Sequence, residues 1–582
     1  MVEAWERGQG GFTGPVFGLC YLFRVESVSS GGDTVANDAG NEKSGKVSVG
    51  AARRGWPVAL VGALVTLAML ALYLRTLAPT VLYYERPLLL DSAMLQVQAI
   101  VLGIPGGTGS PSWVMLTHLF TYLPFGDPAY RVNLASAVYA GGAVALVYAS
   151  AYAVGRSVAA AVAGALAFGF GTTLWSQAVI AEVYSLNALF IMSSVTALIL
   201  WSRARRDGYL LLACFLMGLS LTNHITSGLV VAGAFVLVGL TERRQLLEWR
   251  LGLKGELSFL AGLLPYLYLP LRASMDPLLD EWEPTNWERF WYLVSGGDHH
   301  VNSFAFGLSE LPERFRLYLD FLFQNFHWGV VLVALVGASA AVARRRSRAV
   351  GVMIAVLWLG WMFHAIEYNI FDFNLYFITS YLMVALAFAF GVAELLGAAS
   401  GFVRGRSRTF GIATAGLLAV GFVVLAGAKM PGAYAANDMS GDYRGRAVID
   451  AVAGGAAPNS TVLHHRSSLW YMVLVEKRRT DLTLIAPLPP DRQRYTDIVW
   501  PDDLDYVTTN LRYGTNDETG VTSAKIAARE GPVYILNEAG AGAQNYYDAG
   551  FEVVHVRDDV LYELVPPGYG SYTLGERTAT GD

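Results

Sequence analysis

Charge is scarce in this 582-residue chain. Only 15% of its residues are Asp, Glu, Lys or Arg and 54% are hydrophobic, whereas soluble domains carry roughly 25% charged and about 45–50% apolar residues. The mean hydropathy of +0.40 makes lipid the expected solvent for much of the fold. Cysteine is rarer still. Cys20 and Cys214 are the whole complement, which excludes a disulfide framework and a cysteine-based zinc site. A glycine-rich phosphate loop is missing, so an ATP-driven machine is not expected. No long-range repeat is visible. The opening heptapeptide sets Glu3 and Glu6 against one arginine, the wrong polarity for a signal peptide. Residues 1–52 are expected to be a disordered cytoplasmic tail.

What the chain has in quantity is apolar runs. They fall at about 57–77, 129–154, 157–174, 179–202, 208–223, 225–241, 255–271, 327–343, 349–367, 376–397 and 409–429, each long enough or nearly so to cross a bilayer. Arginine punctuates them at every second junction: Arg53 and Arg54, Arg156, Arg203 to Arg206, Arg243 to Arg250, Arg344 to Arg348, and Arg404 to Arg408. Under the positive-inside rule those junctions are cytoplasmic. The reading is therefore a mainly α, polytopic bundle of about eleven transmembrane helices over residues 53–429, in a plasma membrane, with the N-terminus inside. External loops are expected at 78–128 and 272–326. The apolar stretch 112–123 is too short to span and is expected to lie in the interface.

After residue 429 the composition changes, with charges every few positions. Short strand-like stretches at 461–464, 482–485, 533–536 and 552–556 alternate with helical ones at 443–452 and 467–477, the pattern of a small α/β domain. With an odd number of crossings, residues 430–582 lie outside.

Polar chemistry collects at the junctions without arginine clusters. Asp91 opens an amphipathic stretch just after the first external turn; it reads as a general base or as a helix N-cap, and the two are compatible. Glu182 sits about one turn inside a span, where an ionisable residue is costly. Arg131 or Arg272 is the expected partner for it, and Gln177, Tyr184 and Asn187 are its polar neighbours. Arg131 and Asn133 open the second span, Arg272 closes the seventh, and Asn223 and His224 cap the fifth. Arginines at one level suit an anionic group such as a lipid phosphate, because the guanidinium binds phosphate oxygens bidentately; interfacial anchoring is the plain alternative. The pairs His299-His300 and His464-His465 lack the spacing of known zinc motifs, and no metal or other cofactor is expected. Trp282, Trp287, Trp291 and Tyr292 in the long loop offer either a cover for a bound lipid or an interfacial belt. Trp470 and Tyr471 read as core of the outer domain or as contacts for an acceptor.

Several strings are familiar together: Arg75-Thr76-Leu77-Ala78-Pro79-Thr80-Val81, the run 91–105, Leu123-Pro124-Phe125-Gly126-Asp127 with Arg131-Val132-Asn133-Leu134, the run 175–186, Asn223-His224, and Tyr268-Leu269-Pro270-Leu271-Arg272-Ala273. Jointly they resemble a bacterial membrane family catalogued as a domain of unknown function, allied to protein O-mannosyltransferases and to the GT-C glycosyltransferases. The likeness is strongest over about 74–274. It implies a GT-C-like bundle, a polyprenyl-phosphate-linked sugar as donor, mannose in many relatives, a protein or glycan acceptor, and an external acidic residue as base, which here is Asp91. Two positions differ: Met94 stands where many relatives have Glu, and Gly106 lies in a run where they have His. The expected function is transfer of the sugar to an acceptor hydroxyl on the outer face, with the lipid bilayer as a further partner and no nucleic acid. A flippase for a lipid-linked sugar and a degenerate binding or scaffold protein are the alternatives. The outer domain is expected to serve the acceptor and to be dispensable for donor binding.

Overall fold

The computed structural model describes residues 49–83, 91–403, 408–464, 467–485, 518–536 and 543–575. Residues 1–48 of the expected tail, with Cys20, and His465 lie outside them, whereas 49–52 begin the first helix. The described chain is mostly helical. Twenty-one α-helices and a five-stranded sheet are used below: α1 (Val49–Arg75), α2 (Ser92–Val101), α3 (Pro111–His118), α4 (Pro128–Gly155), α5 (Val158–Gly169), α6 (Thr172–Ala178), α7 (Tyr184–Ala204), α8 (Asp207–Leu221), α9 (Leu229–Glu242), α10 (Trp249–Gly262), α11 (Tyr268–Ala273), α12 (Trp287–Val294), α13 (Leu311–Asn325), α14 (Trp328–Ala343), α15 (Arg348–Ile366), α16 (Ile378–Val403), α17 (Arg408–Ala426), α18 (Met430–Asn437), α19 (Arg444–Gly455), α20 (Glu518–Ala527) and α21 (Ala543–Asp548).

Among the described residues seven helices are long and apolar enough to cross a membrane, or nine if each of two bent pairs counts as one span. The difference from eleven runs of hydropathy has local causes. The run at 157–174 is α5 plus α6, bent by 66° where Gly171 takes an extended conformation before α6. Asn325 bridges that bend: its side-chain oxygen accepts from the Thr173 backbone at 3.0 Å. The α13–α14 pair turns through 108° where Phe326 and His327 are extended, and the His327 ring accepts the Gly329 backbone N–H. The run at 208–223 gives α8, with 15 residues, and that at 255–271 is interrupted after α10 by the turn containing Pro265. A chain with these helices is a multi-pass membrane protein.

Packing follows small residues. A methyl at Gly337 on α14 would meet the Ala387 carbonyl oxygen of α16 at 2.0 Å, an approach only glycine permits, as at other small-residue helix contacts in bilayers. The main core runs from Tyr73 and Tyr148 through Trp175, Trp201 and Trp361, while Leu60, Leu64, Leu67, Leu335 and Leu417 stay exposed on the outer surface of the bundle, where lipid is the natural solvent. The short helix α3 buries Trp113 and Val114 and exposes Leu116.

The C-terminal domain holds strands β1 (Thr461–Leu463), β2 (Thr483–Ile485), β3 (Val533–Leu536), β4 (Glu552–Arg557) and β5 (Leu561–Val565) in the order β2-β1-β3-β5-β4. The first three are parallel and β5 and β4 antiparallel. This is the α/β domain expected from the sequence, with β5 added. The stretch 467–477 forms a π-helical turn over Tyr471–Val475. Trp470 and Tyr471 are fully buried, yet their core is shared: Val81, Tyr83, Met94 and Val97 of the membrane part join Val448, Ile449, Trp470 and Tyr471 in one cluster. The domain is docked on the loop before α2 and on α2 itself, not merely tethered by α17 and α18.

Candidate active site

Four turns meet at one end of the bundle. They are the start of α2, the break between α6 and α7, the turn after α8, and the segment between α15 and α16. α7 begins at Tyr184 and ends beside Arg205, α9 ends before Arg243, and α15 begins at Arg348. The polar turns therefore sit at the opposite helix ends from the arginine clusters.

Asp91 occupies the N-cap position of α2 in a helical backbone conformation, and its side chain makes no capping hydrogen bond. An aspartate whose carboxylate caps a helix takes extended geometry and accepts from the second or third amide; Asp127 does this for α4, accepting from Tyr130 at 2.8 Å. Asp91 does not cap in this way. The next residue, Ser92, is fully buried and donates its hydroxyl to Glu182 at 3.4 Å. Glu182 lies in the α6–α7 break and its other carboxylate oxygen accepts the Val183 amide. Its backbone carbonyl takes the Trp113 indole N–H at 3.1 Å, which ties α3 beneath the site. Burial pushes the Glu182 carboxyl well above the ordinary carboxylate range, and the charges of Asp91 and then Asp372 push it further. Asp372, just before α16, is itself pushed up to about 6 by burial and by Asp91. Three carboxyl groups thus share one field, and like charges at such range cannot all ionise cheaply.

An aromatic group borders them. The rings of Tyr184 and His224 are 5.6 Å apart, those of Tyr184 and Tyr376 5.9 Å, and those of His224 and Tyr376 5.5 Å; Tyr376 also stacks on His364. Thr226 fixes the His224 ring, its hydroxyl 2.8 Å from Nδ1. Asn223 donates its amide to the Val183 carbonyl, while its side-chain oxygen and that of Asn187 are buried without a hydrogen-bond partner among the described residues.

The other sequence candidates are placed differently. Arg131 donates to the carbonyls of Phe125, Thr121 and Gly126 at 2.7, 2.6 and 2.9 Å, so it folds the turn before α4. Arg272 donates to Leu102 and Val101 and satisfies the C-terminal carbonyls of α2. Neither is the partner expected for Glu182, because both guanidiniums are committed to backbone oxygens that need donors. Asn133 is buried and bridges Ala78, Thr80 and Gln96. Gln177 donates to Ser176, and its side-chain oxygen is buried without a partner among the described residues. In the long loop, Trp282 is buried against Tyr292, whereas Trp287 and Trp291 stack on each other and stay exposed. His464 is buried beside Ser467 and Trp470, where burial drives its pKa down to about 3. Asp372, Tyr376 and His364 were not singled out from the sequence. Asp372 lies in the polar break at 368–374 between two apolar runs, and Tyr376 and His364 lie just beyond its ends.

The chain is similar to several known proteins. The family model described as "Protein O-mannosyl-transferase TMEM260 N-terminal domain" matches residues 91–248, so its first matched residue is Asp91. The protein O-mannosyl-transferase TMEM260 of Mus musculus is 32% identical over 193 residues, which are 32% of this chain and 27% of that one. The homologue from Dictyostelium discoideum is 22% identical over 468 residues, 68% of this chain and 54% of its own. The chain thus spans from about a quarter to about half of the curated relatives it matches. Among solved structures, ArnT from Cupriavidus metallidurans in the apo state aligns with a TM-score of 0.54 at 15% identity, covering 88% of this chain and 98% of ArnT. ArnT from Cupriavidus metallidurans bound to undecaprenyl phosphate gives 0.51 at 14% identity, with the same coverage. The chain has the ArnT fold.

Proposed function

We propose that this chain is a membrane glycosyltransferase of the protein O-mannosyltransferase-like kind, moving a sugar from a polyprenyl phosphate to an acceptor hydroxyl at the outer face, with Asp91 as general base. The observation that carries the reading is the position of Asp91: an N-cap carboxylate that does not cap, set against Glu182, Asp372 and the Tyr184–His224–Tyr376 rings. The matched TMEM260 relatives are named for O-mannosyl transfer, and the ArnT neighbour was solved with undecaprenyl phosphate; both support a lipid-phosphate donor here. Transfer inverts the sugar. Asp91 takes the acceptor hydroxyl proton as that oxygen bonds to the anomeric carbon, and the bond from that carbon to the lipid phosphate breaks with its electron pair, so the phosphate leaves as an anion. His224 and Asn223 hold the departing phosphate, and Tyr184 and Tyr376 pack on the sugar or the first isoprene unit. Burial and neighbouring charges make Glu182 and Asp372 easier to protonate than ordinary carboxyls.

The test is sugar release from polyprenyl-phosphate mannose by the reconstituted full chain. The wild type is expected to form the mannosylated acceptor and Asp91→Asn to lose transfer by about 10²- to 10⁴-fold, the usual worth of a positioned base. Transbilayer movement of intact donor without release would mark a flippase, and normal transfer by the Asn variant would overturn the assignment of Asp91.

A further inference from the structure

The joint between the C-terminal domain and α2 is built from two adjacent residues at the start of α19. A methyl at Gly445 would lie 2.3 Å from the Val81 carbonyl oxygen and 2.9 Å from the carbonyl carbon of Leu82. Real atoms do not approach so closely, so only glycine lets α19 press on the 80–82 segment. Arg446 reaches across the same joint. Its guanidinium donates to Thr80 Oγ1 at 2.9 Å and to Asp127 at 2.8 Å, and it pairs with Glu476 of its own domain. It also lies 5.2 Å from the centre of the Tyr471 ring. One guanidinium therefore joins the segment before α2, the N-cap of α4 and the C-terminal domain, a three-way fork that an ammonium does not reproduce.

The pressed segment is in turn locked to α2. Leu82 donates its backbone N–H to Gln96 Oε1 at 2.9 Å, and the Gln96 amide donates to Asn133 at 2.8 Å and to the Thr80 carbonyl at 3.3 Å. Gln96, fully buried, lies just over a turn after Asp91 on the same short helix. Met94 and Val97 of α2 pack into the core formed with Val448, Ile449, Trp470 and Tyr471. The orientation of α2, and with it the direction of Asp91, is thus set from a domain more than 350 residues further along the chain.

We infer that Gly445 and Arg446 are positioning residues for the base: the C-terminal domain holds α2 in the productive orientation through them and takes no direct part in donor binding. The inference rests on the reading of Asp91 given above. A displacement of about 1 Å at a reacting group costs on the order of a hundredfold in rate, so small changes at the joint are amplified at Asp91.

The experiment uses the full chain in vesicles supplied with polyprenyl-phosphate mannose and acceptor. Gly445→Ala, Arg446→Lys, Arg446→Met and Asp91→Asn are compared for kcat, donor KM and the folded fraction recovered after detergent extraction. The expected result is a kcat per folded molecule lowered on the order of ten- to a hundredfold in Gly445→Ala and Arg446→Met, with Arg446→Lys between them and wild type and donor KM unchanged. Three results overturn the inference: wild-type kcat per folded molecule in these variants, a rise in donor KM that accounts for the lost activity, or a loss that merely follows the unfolded fraction. An inactive Asp91→Asn beside fully active joint variants removes the positioning role alone. An active Asp91→Asn removes the base assignment itself.

Discussion

Glu182 and Asp91 are neighbouring carboxylates that differ in burial. Glu182 is buried and held by Ser92 and Val183, and its protonated form is favoured by burial and by Asp91 and Asp372. Glutamine is the isostere of that neutral form, so Glu182→Gln is expected to keep transfer within about tenfold of wild type, while Asp91→Asn falls by 10² or more. Parallel rate measurements check the pair; equal losses would assign the base to both. Asp372 carries a pH prediction. Its pKa is raised from 3.8 to about 6, so its contribution to stability is full below about pH 3.8 and is lost as the pH rises through about 6. Asp372→Asn is expected to flatten that decline, seen as a smaller fall in melting temperature between about pH 4 and about 7. A decline as steep as that of wild type would contradict the burial of the charge. Asp91 was legible from the sequence because it opens an amphipathic run. Asp372 was not, because a lone aspartate in a turn has no periodicity and its significance comes from residues nearly 200 and 300 positions earlier.

Among the elements, the two arginines read from the sequence as phosphate ligands act as backbone clamps. Arg131 closes the turn before α4 through three carbonyls and Arg272 closes the end of α2 through two. Arg131→Lys replaces a fork with a point charge and loses hydrogen bonds to exposed and half-buried carbonyls, each worth roughly 0.5–1.5 kcal/mol. The expected outcome is lower stability with donor KM unchanged, measured by thermal unfolding beside transfer kinetics; a raised KM with native stability would restore Arg131 to the donor site. Asn133→Ala breaks the link between Ala78, Thr80 and Gln96 and is expected to cost a similar amount. The elements were read well where hydropathy is continuous, as in α4, α7, α15 and α16. They were read poorly at bends, since hydropathy averages over Gly171 and over Phe326-His327 without registering that the backbone turns there. Likewise the strands at 461 and 533 were legible from their apolar runs. β5 was not: Glu563 interrupts its run, and this glutamate is buried because Ser571, Tyr572 and Thr573 donate to it.

Across the whole molecule, the division between a lipid-embedded bundle and a small α/β domain is plain in composition, but their union is not. The shared core and the Arg446 fork join residues near 80, 127, 446 and 476, contacts of long sequence separation with no local signature. Removal of the C-terminal domain would uncover Val81, Met94 and Val97 beside the site. Truncation after residue 436 is therefore expected to lower both stability and turnover, checked by melting temperature and transfer rate of the extracted protein. The central claim is that the donor phosphate is held at the end of the bundle where Asp91, Glu182, Asp372 and His224 converge. An experimentally determined structure of the full chain with a bound polyprenyl phosphate tests it most directly. The account predicts the phosphate within hydrogen-bond reach of His224 and Asn223, facing Asp91; a phosphate held at the opposite end, among Arg203, Arg243 and Arg344, would contradict it.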